Sequence, residues 1–263
     1  MEILEDTQLK AYLIKFSYFG TDFEGFSLSN SQRSVEAVIQ HCLLQNNIST
    51  ALKTSSRTDK FVSAISNCMY IESKFRISKI LGILNAEIPE MVFHSWAEVE
   101  RGFNPRHTSK KSYVYLIKIN IEKREAIKKI LLKFEGTHDF RNFCKVDTRN
   151  TIRTIDRIEF TETNEFLIAT ITAKSFIWQQ IRFIVGYAND QCGLNEEDPF
   201  SDNISRPVPA LPHFLFLKDI YFDGITFNTR FPRHKKKINY RMDLSYFSYY
   251  FFKELQNGYK DAN

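Results

Sequence analysis

Apolar and polar residues alternate from Ala11 to Tyr18, with Tyr12, Ile14, Phe16 and Tyr18 on one side, which is the period of a β-strand. The period then changes. Ser34 is placed to cap a helix whose apolar positions Val35, Val38, Ile39, Cys42 and Leu43 form one stripe, and Asn46-Asn47 ends it. A strand around 67–71 follows, then a short helix carrying Ile77, Ile80, Leu81 and Leu84 and stopped before Pro89, then a strand from Met91 to Val99. The second half repeats this order. Tyr113, Tyr115, Ile117, Ile119 and Ile121 alternate as a strand, and a basic helix over about 123–134 buries Ile127, Ile130 and Leu131. Two strands come next, near 152–161 and 165–173. A helix from about Ile177 places Ile181, Ile184, Val185 and Ala188 on one face, and an acidic loop over 189–209 leads to a last strand, Phe214 to Phe222.

Each half therefore reads as strands interleaved with helices in β-α-β order, and the fold class is α+β. No low-complexity linker separates the halves. The expected division is an N-terminal α+β lobe over 10–105, a C-terminal α+β lobe over 106–230, and a basic, aromatic tail over 231–263. The tail rings Tyr246, Phe247, Tyr249, Tyr250, Phe251 and Phe252 are expected to close the core in preference to forming a subunit interface.

With 263 residues and 43% hydrophobic content the chain can bury a sizeable interior. Its acidic start, Met1 to Asp6, lacks the basic residues and apolar run of a secretory signal. No stretch approaches the roughly 20 apolar residues of a membrane span. The four cysteines, Cys42, Cys68, Cys144 and Cys192, form no Cys-x-x-Cys pair, which argues against a zinc site or a disulfide framework and for a reducing cytoplasm. The other histidines, His41, His94, His107, His213 and His234, show no metal-ligand spacing.

The net charge of +5 is unevenly placed. Between Arg101 and Phe160 stand 15 Lys/Arg against 7 Asp/Glu, so the rest of the chain is net acidic. A second cluster, Arg230, Arg233, Lys235, Lys236, Lys237 and Arg241, has no acid between its ends. Such segregation fits either a phosphate-binding surface or a solvated lysine-rich one.

The densest chemical signal is Ser55-Ser56-Arg57-Thr58-Asp59-Lys60-Phe61-Val62-Ser63-Ala64, a polar segment between apolar elements. It suits a loop presenting a carboxylate beside a cation. It equally suits a surface turn whose ion pair is worth about 0–1 kcal/mol. His138-Asp139 offers a rival acid–base pair, although neighbours on an extended chain point to opposite faces.

Read with the rest of the chain, this loop resembles the active-site loop of the TruA-type tRNA pseudouridine synthases. Phe103-Asn104-Pro105-Arg106 with Lys111-Ser112-Tyr113-Val114-Tyr115 is similar to the family's Phe-x-x-Arg and Arg/Lys-x-Tyr-x-Tyr strand. Gly136-Thr137-His138-Asp139-Phe140 with Phe143 resembles its Gly-x-His-Asp-Phe-x-x-Phe segment. Ser175 to Gly186 resembles its helix carrying Arg. The resemblance spans about 11–222, including Gly25-Phe26 with Ser34-Val35-Glu36 at the opening and Pro209 to Phe222 at the close.

The resemblance implies two related ferredoxin-like lobes around a shared mixed or antiparallel sheet with a central basic cleft. It implies conversion of uridine to pseudouridine in tRNA without a cofactor, commonly by a homodimer, on a nucleotide flipped out of its stack. Asp59 would be the catalytic carboxylate, Arg182 its cation, and Tyr113 the ring stacked on uracil. Arg57 would fill the gap left by the flipped base, with Phe176 and Ile177 as apolar walls. From residue chemistry alone, Tyr113 also fits core packing and Arg182 also fits a snorkelling surface cation. Arg106, Lys110, Lys111, Arg141 and Lys145, with Arg101, His107 and Arg149, are candidate contacts to the tRNA backbone. In that family the His138-Asp139 segment goes with RNA contact and structure, not bond breaking.

One residue departs from the pattern. Phe61 stands where the family usually has Gly, and if that position needs a positive φ an aromatic there is a backbone outlier. The expectation that follows is a rebuilt turn or an altered pocket. The second reading is thus an RNA-binding or RNA-chaperone protein that keeps the scaffold without turnover. A third is a small-molecule enzyme using His138 and Asp139.

Overall fold

Strand β1 (Lys10–Tyr18) is buried at nearly every position, not on one side only, because it lies inside a sheet with both faces covered. Phe16 packs against Phe93, and Tyr18 against Phe23 and Phe26. On the opposite pleat Lys15 is 8% exposed and bonds Asp219 at 2.6 Å. A side chain such as Phe16, fully removed from water, contributes roughly 1.5–3 kcal/mol. The computed structural model describes residues 8–29, 31–145, 150–194, 198–201, 203–230, 240–249 and 251–252. Arg149 and the basic residues Arg233, Lys235, Lys236 and Lys237 lie outside them.

The chain divides into two units, 1–229 and 230–263. In the first, β1 is followed by α1 (Val35–Gln45), β2 (Lys53–Thr54), β3 (Ser63–Ser73), α2 (Ile77–Glu87) and β4 (Met91–Val99). The Ser34 hydroxyl caps α1 by accepting from the Ala37 N–H at 3.2 Å. The order then repeats with β5 (Lys110–Lys118), α3 (Arg124–Leu132), β6 (Gly136–Asp139), β7 (Ile152–Glu162), β8 (Phe166–Ala173), α4 (Gln180–Gln191), β9 (Leu215–Tyr221) and β10 (Asn228–Thr229).

One sheet collects all ten strands of the described residues in the order β10-β4-β1-β3-β9-β5-β8-β7-β6, with β2 on β3. The strands of the first half stand β4-β1-β3-β2 and those of the second β9-β5-β8-β7, all antiparallel within each half. Both halves are thus β-α-β-β-α-β units of ferredoxin-like order. They meet at a short parallel ladder between β3 and β9, where Ser63 pairs Phe216 and Ala64 pairs Leu217.

Two local expectations need correction, and one strand gave no signal. Ile121 does not extend β5; it lies in a 3-10 turn and is 69% exposed. The edge strand β6 had no alternating apolar signal, since its four residues are exposed or half-buried. Ile177 precedes α4, because Gln179 takes a left-handed φ of 64° that no helix can include. In the second unit, residues 240–249 and 251–252 are helical. Its rings Tyr246, Phe247, Tyr249, Phe251 and Phe252 are exposed, and Tyr250 lies outside the described residues. No described helix is long and apolar enough to cross a membrane.

Candidate active site

The sheet creates the site by letting β3 change neighbours. Met69 and Tyr70 pair with β2, whereas Ser63 and Ala64 pair with β9. The intervening loop, 55–62, therefore leaves the sheet at the seam between the halves. Its backbone is tied down along its length. Ser55 N–H donates to Cys68 O at 2.9 Å, Ser55 Oγ donates to Pro105 O at 2.5 Å, and Asn67 Nδ2 donates to Ser56 O at 2.9 Å. Thr58 Oγ1 shares a 2.7 Å hydrogen bond with the Tyr18 hydroxyl, and Val62 N–H closes a turn onto Asp59 O at 3.1 Å. Phe61 is the hinge of that turn, with φ 72°, a region costly for a side chain of its size. Gly20 packs against this bend so closely that a Cβ would lie 2.5 Å from Phe61 C and Val62 O. The Phe61 ring is 39% exposed on the cavity wall.

The facing wall is the segment that enters α4. Gln180 Oε1 accepts from the Ile177 N–H at 2.9 Å, and Phe183 N–H donates to Gln179 O, so the left-handed bend is followed at once by helix. Arg182 lies in the first turn. Its Nε donates to Ala210 O at 2.7 Å, while its own carbonyl accepts from Ala210 N–H at 2.8 Å. This approach requires Gly186, where a Cβ would fall 1.9 Å from Val208 O.

Between the walls, Arg182 Nη1 donates to Asp59 Oδ2 at 3.1 Å, with the two side chains only 11% and 17% exposed. The other oxygen, Oδ1, accepts from the indole N–H of Trp178 at 2.8 Å. Tyr113, on β5, packs edge-on to Phe176 with ring centres 5.2 Å apart. Burial pushes the Tyr113 phenol up to about 12, against a hydrogen bond from Ser56, and the Asp59 charge adds to the rise. Lys111 Nζ donates to Ser55 O at 3.0 Å and to Ser56 Oγ at 2.8 Å. Lys111 thus holds the Ser56 hydroxyl.

Burial, with Arg106 as a neighbouring like charge, brings the Lys111 amine down to about 8. The ammonium is present below that value and lost above it. Activity is accordingly expected to decline on the alkaline side with a midpoint near pH 8. Lys111→Arg, which stays charged, should hold its own activity level through that range. A pH–rate profile of both proteins checks this, and an identical alkaline decline in the variant would exclude Lys111 as the source.

These residues line one cavity of roughly 860 Å³. Among the described residues its lining includes Arg57, Lys60, Arg106, Lys111 and Arg182 but a single acid, Asp59. Such a lining favours a phosphate-bearing ligand while holding one carboxylate at its floor. Of the residues singled out from sequence, Asp59, Tyr113, Arg182, Arg57, Arg106, Lys111 and Phe176 come together here. Lys110, Arg141 and Lys145 are not in the lining. Lys110 stands 5.6 Å from the Tyr221 ring, Arg141 pairs with Asp139, and Lys145 lies over Trp178 at 4.2 Å. Arg101 is paired with Glu72.

The rival pair separates. His138 Nε2 bonds Glu135 O and its ring stacks on Phe200 at 4.0 Å, whereas Asp139 serves Arg141 and Thr151. Sequence reasoning missed Trp178 and Ser56. Both lie inside segments that carry the resemblance, and neither has a sequence signal that marks it out. Among the described residues no group of three His, Cys, Asp or Glu could hold a metal ion.

Comparison with known proteins follows the same segments. Residues 130–212, which include Arg182, match a family model described as tRNA pseudouridine synthase. Over 215 residues the chain is 46% identical to the tRNA pseudouridine synthase A of Picrophilus torridus, spanning 82% of this chain and 83% of that protein. It is 40% identical over 235 residues to the protein of that name from Thermoplasma acidophilum, spanning 89% and 91%. Against that from Pyrococcus abyssi it is 37% identical over 226 residues, spanning 81% and 85%.

Proposed function

The chain belongs to the tRNA pseudouridine synthase family, and we propose that it isomerises uridine in tRNA within the cavity at the seam, with Asp59 as the catalytic carboxylate. The observation that carries this reading is the Asp59–Arg182 pair, the one acid of a basic cavity held against a guanidinium.

The reaction breaks the bond between uracil N1 and ribose C1′ and forms one between C5 and C1′. C5 loses a proton and N1 gains one, so mass and oxidation state are unchanged. Asp59, paired with Arg182 at 3.1 Å, presents its carboxylate to the ribose–uracil junction. Tyr113 and Phe176 supply the ring surfaces against which a flipped uracil stacks. The Tyr113 hydroxyl assists the late removal of the C5 proton. Arg57, exposed on the loop beside Asp59, fills the space vacated in the RNA stack, since a planar cation can lie between bases. Arg106 and Lys60 on the rim meet phosphates, with Lys110, Arg141 and Lys145 as outlying backbone contacts. A homodimer and a cytoplasmic setting belong to the same proposal, carried by the family resemblance alone. The left-handed Phe61 leaves the cavity open, so it lends no support to a scaffold without turnover.

The test is release of tritium to water from tRNA labelled at uridine C5. The protein should free label, and its tRNA affinity should fall steeply with salt as backbone contacts are screened. Retention of all label across a full tRNA pool would defeat the assignment.

A further inference from the structure

Trp178 has no role in the reaction as described, yet it touches the central carboxylate. Its indole N–H reaches Asp59 Oδ1 at 2.8 Å while Arg182 holds Oδ2 at 3.1 Å. Core packing does not account for it, because the residue is 43% exposed. Its placement is nevertheless fixed from several directions. Its carbonyl accepts from Lys145 N–H at 2.9 Å, and the Lys145 ammonium lies 4.2 Å from its ring centre. The next residue, Gln179, sits in the left-handed region, and Gln180 ties the bend back to Ile177. A solvent-facing aromatic held by a strained bend points to a task outside the core.

A carboxylate turns readily about its terminal bond. A donor on one oxygen leaves that rotation loosely controlled, whereas donors on both oxygens from different side chains set the plane. We infer that Trp178 is a positioning residue that, opposite Arg182, clamps the plane of the Asp59 carboxylate toward the cavity. This rests on the reading of Asp59 as the catalytic carboxylate. The residue acts through Asp59, so its loss should appear in turnover and not in RNA affinity.

Trp178→Phe keeps a ring for Lys145 and removes the N–H donor. With C5-tritiated tRNA its kcat should fall roughly tenfold to a hundredfold, the scale of a misplaced reacting group, while Kd for tRNA holds. An unchanged kcat overturns the inference. So does weakened binding at unchanged kcat, which would make Trp178 an RNA contact. A second measurement needs no turnover. The chain has two tryptophans, so Trp96→Phe leaves Trp178 as the sole indole emitter. Adding Asp59→Ala should then shift its fluorescence, and coincident spectra overturn the hydrogen bond. If the parent protein releases no tritium at all, the catalytic reading fails, while the fluorescence pair still decides whether the indole holds the carboxylate.

Discussion

Asp59→Ala is expected to abolish pseudouridine formation, by at least about 10³-fold in kcat, while the protein continues to bind tRNA. The reasoning is one of charge and place. Among the described residues Asp59 is the single acid in a cavity lined by five cations, so no other carboxylate of that lining can substitute for it. The groups that would meet the RNA, Arg57 in the base stack and Lys60 and Arg106 at its phosphates, are separate side chains that the substitution leaves in place. The alanine variant also strips Arg182 of its partner in a half-dry setting, and removing one member of a buried pair costs up to roughly 3–5 kcal/mol. Asp59→Asn is therefore the companion variant. It keeps the volume and an acceptor oxygen and removes the charge. Both should be inactive in the tritium assay and both should retain tRNA in a filter-binding assay. Turnover near the parent level in the asparagine protein would remove Asp59 from its role.

The second large effect is expected at a residue outside the cavity lining. Gly186→Ala should destabilise the fold by about 3 kcal/mol, the upper end for overpacking. In a chain of this size that lowers the thermal midpoint by roughly 6–12 °C. The added Cβ would meet the backbone oxygen of Val208 at 1.9 Å, and a backbone segment cannot rotate away as a flexible side chain can. The segment it displaces carries Ala210, whose carbonyl holds Arg182 Nε. Activity should thus fall even at temperatures where the variant is folded. Gly82→Ala is the internal control. It lies in α2 with nothing within 4 Å of the added carbon, so it should be neutral or stabilise by up to roughly 1 kcal/mol. Differential scanning calorimetry of the two variants decides the matter, and equal melting points would refute the crowding argument.

Much of the fold is written in periodicity. The strand from Met91 to Val99 is found with the bounds read from sequence, and α1 begins where Ser34 was placed as its cap. What escaped has physical reasons. β6 is a four-residue edge strand with no buried face, so it carries no alternation to detect. The start of α4 is shifted by a left-handed glutamine, a conformation for which glutamine gives no signal. The site was legible in a different way. Asp59 and Arg182 stand 123 residues apart, and neither spacing nor charge could bring them together; the resemblance alone named them as partners. Trp178 was beyond reach, because whether an indole N–H faces a carboxylate or water depends on one turn of the backbone. Phe61 is the intermediate case. Its oddity was visible as a residue type, and the positive φ appears where the departure from glycine was noted.

The join between the two halves has a consequence of its own. Asp59 is delivered by the first half, whereas Tyr113, Trp178 and Arg182 all come from the second. Across the suture run a two-pair ladder and the Lys15–Asp219 bridge. Each half by itself is chemically mute, with an acid that lacks its cation or a cation that lacks its acid. With Asp59 as the proposed catalytic carboxylate, fidelity of assembly and competence for chemistry become one and the same trait, and any drift that loosens the suture should be exposed at once as silence at the uridine.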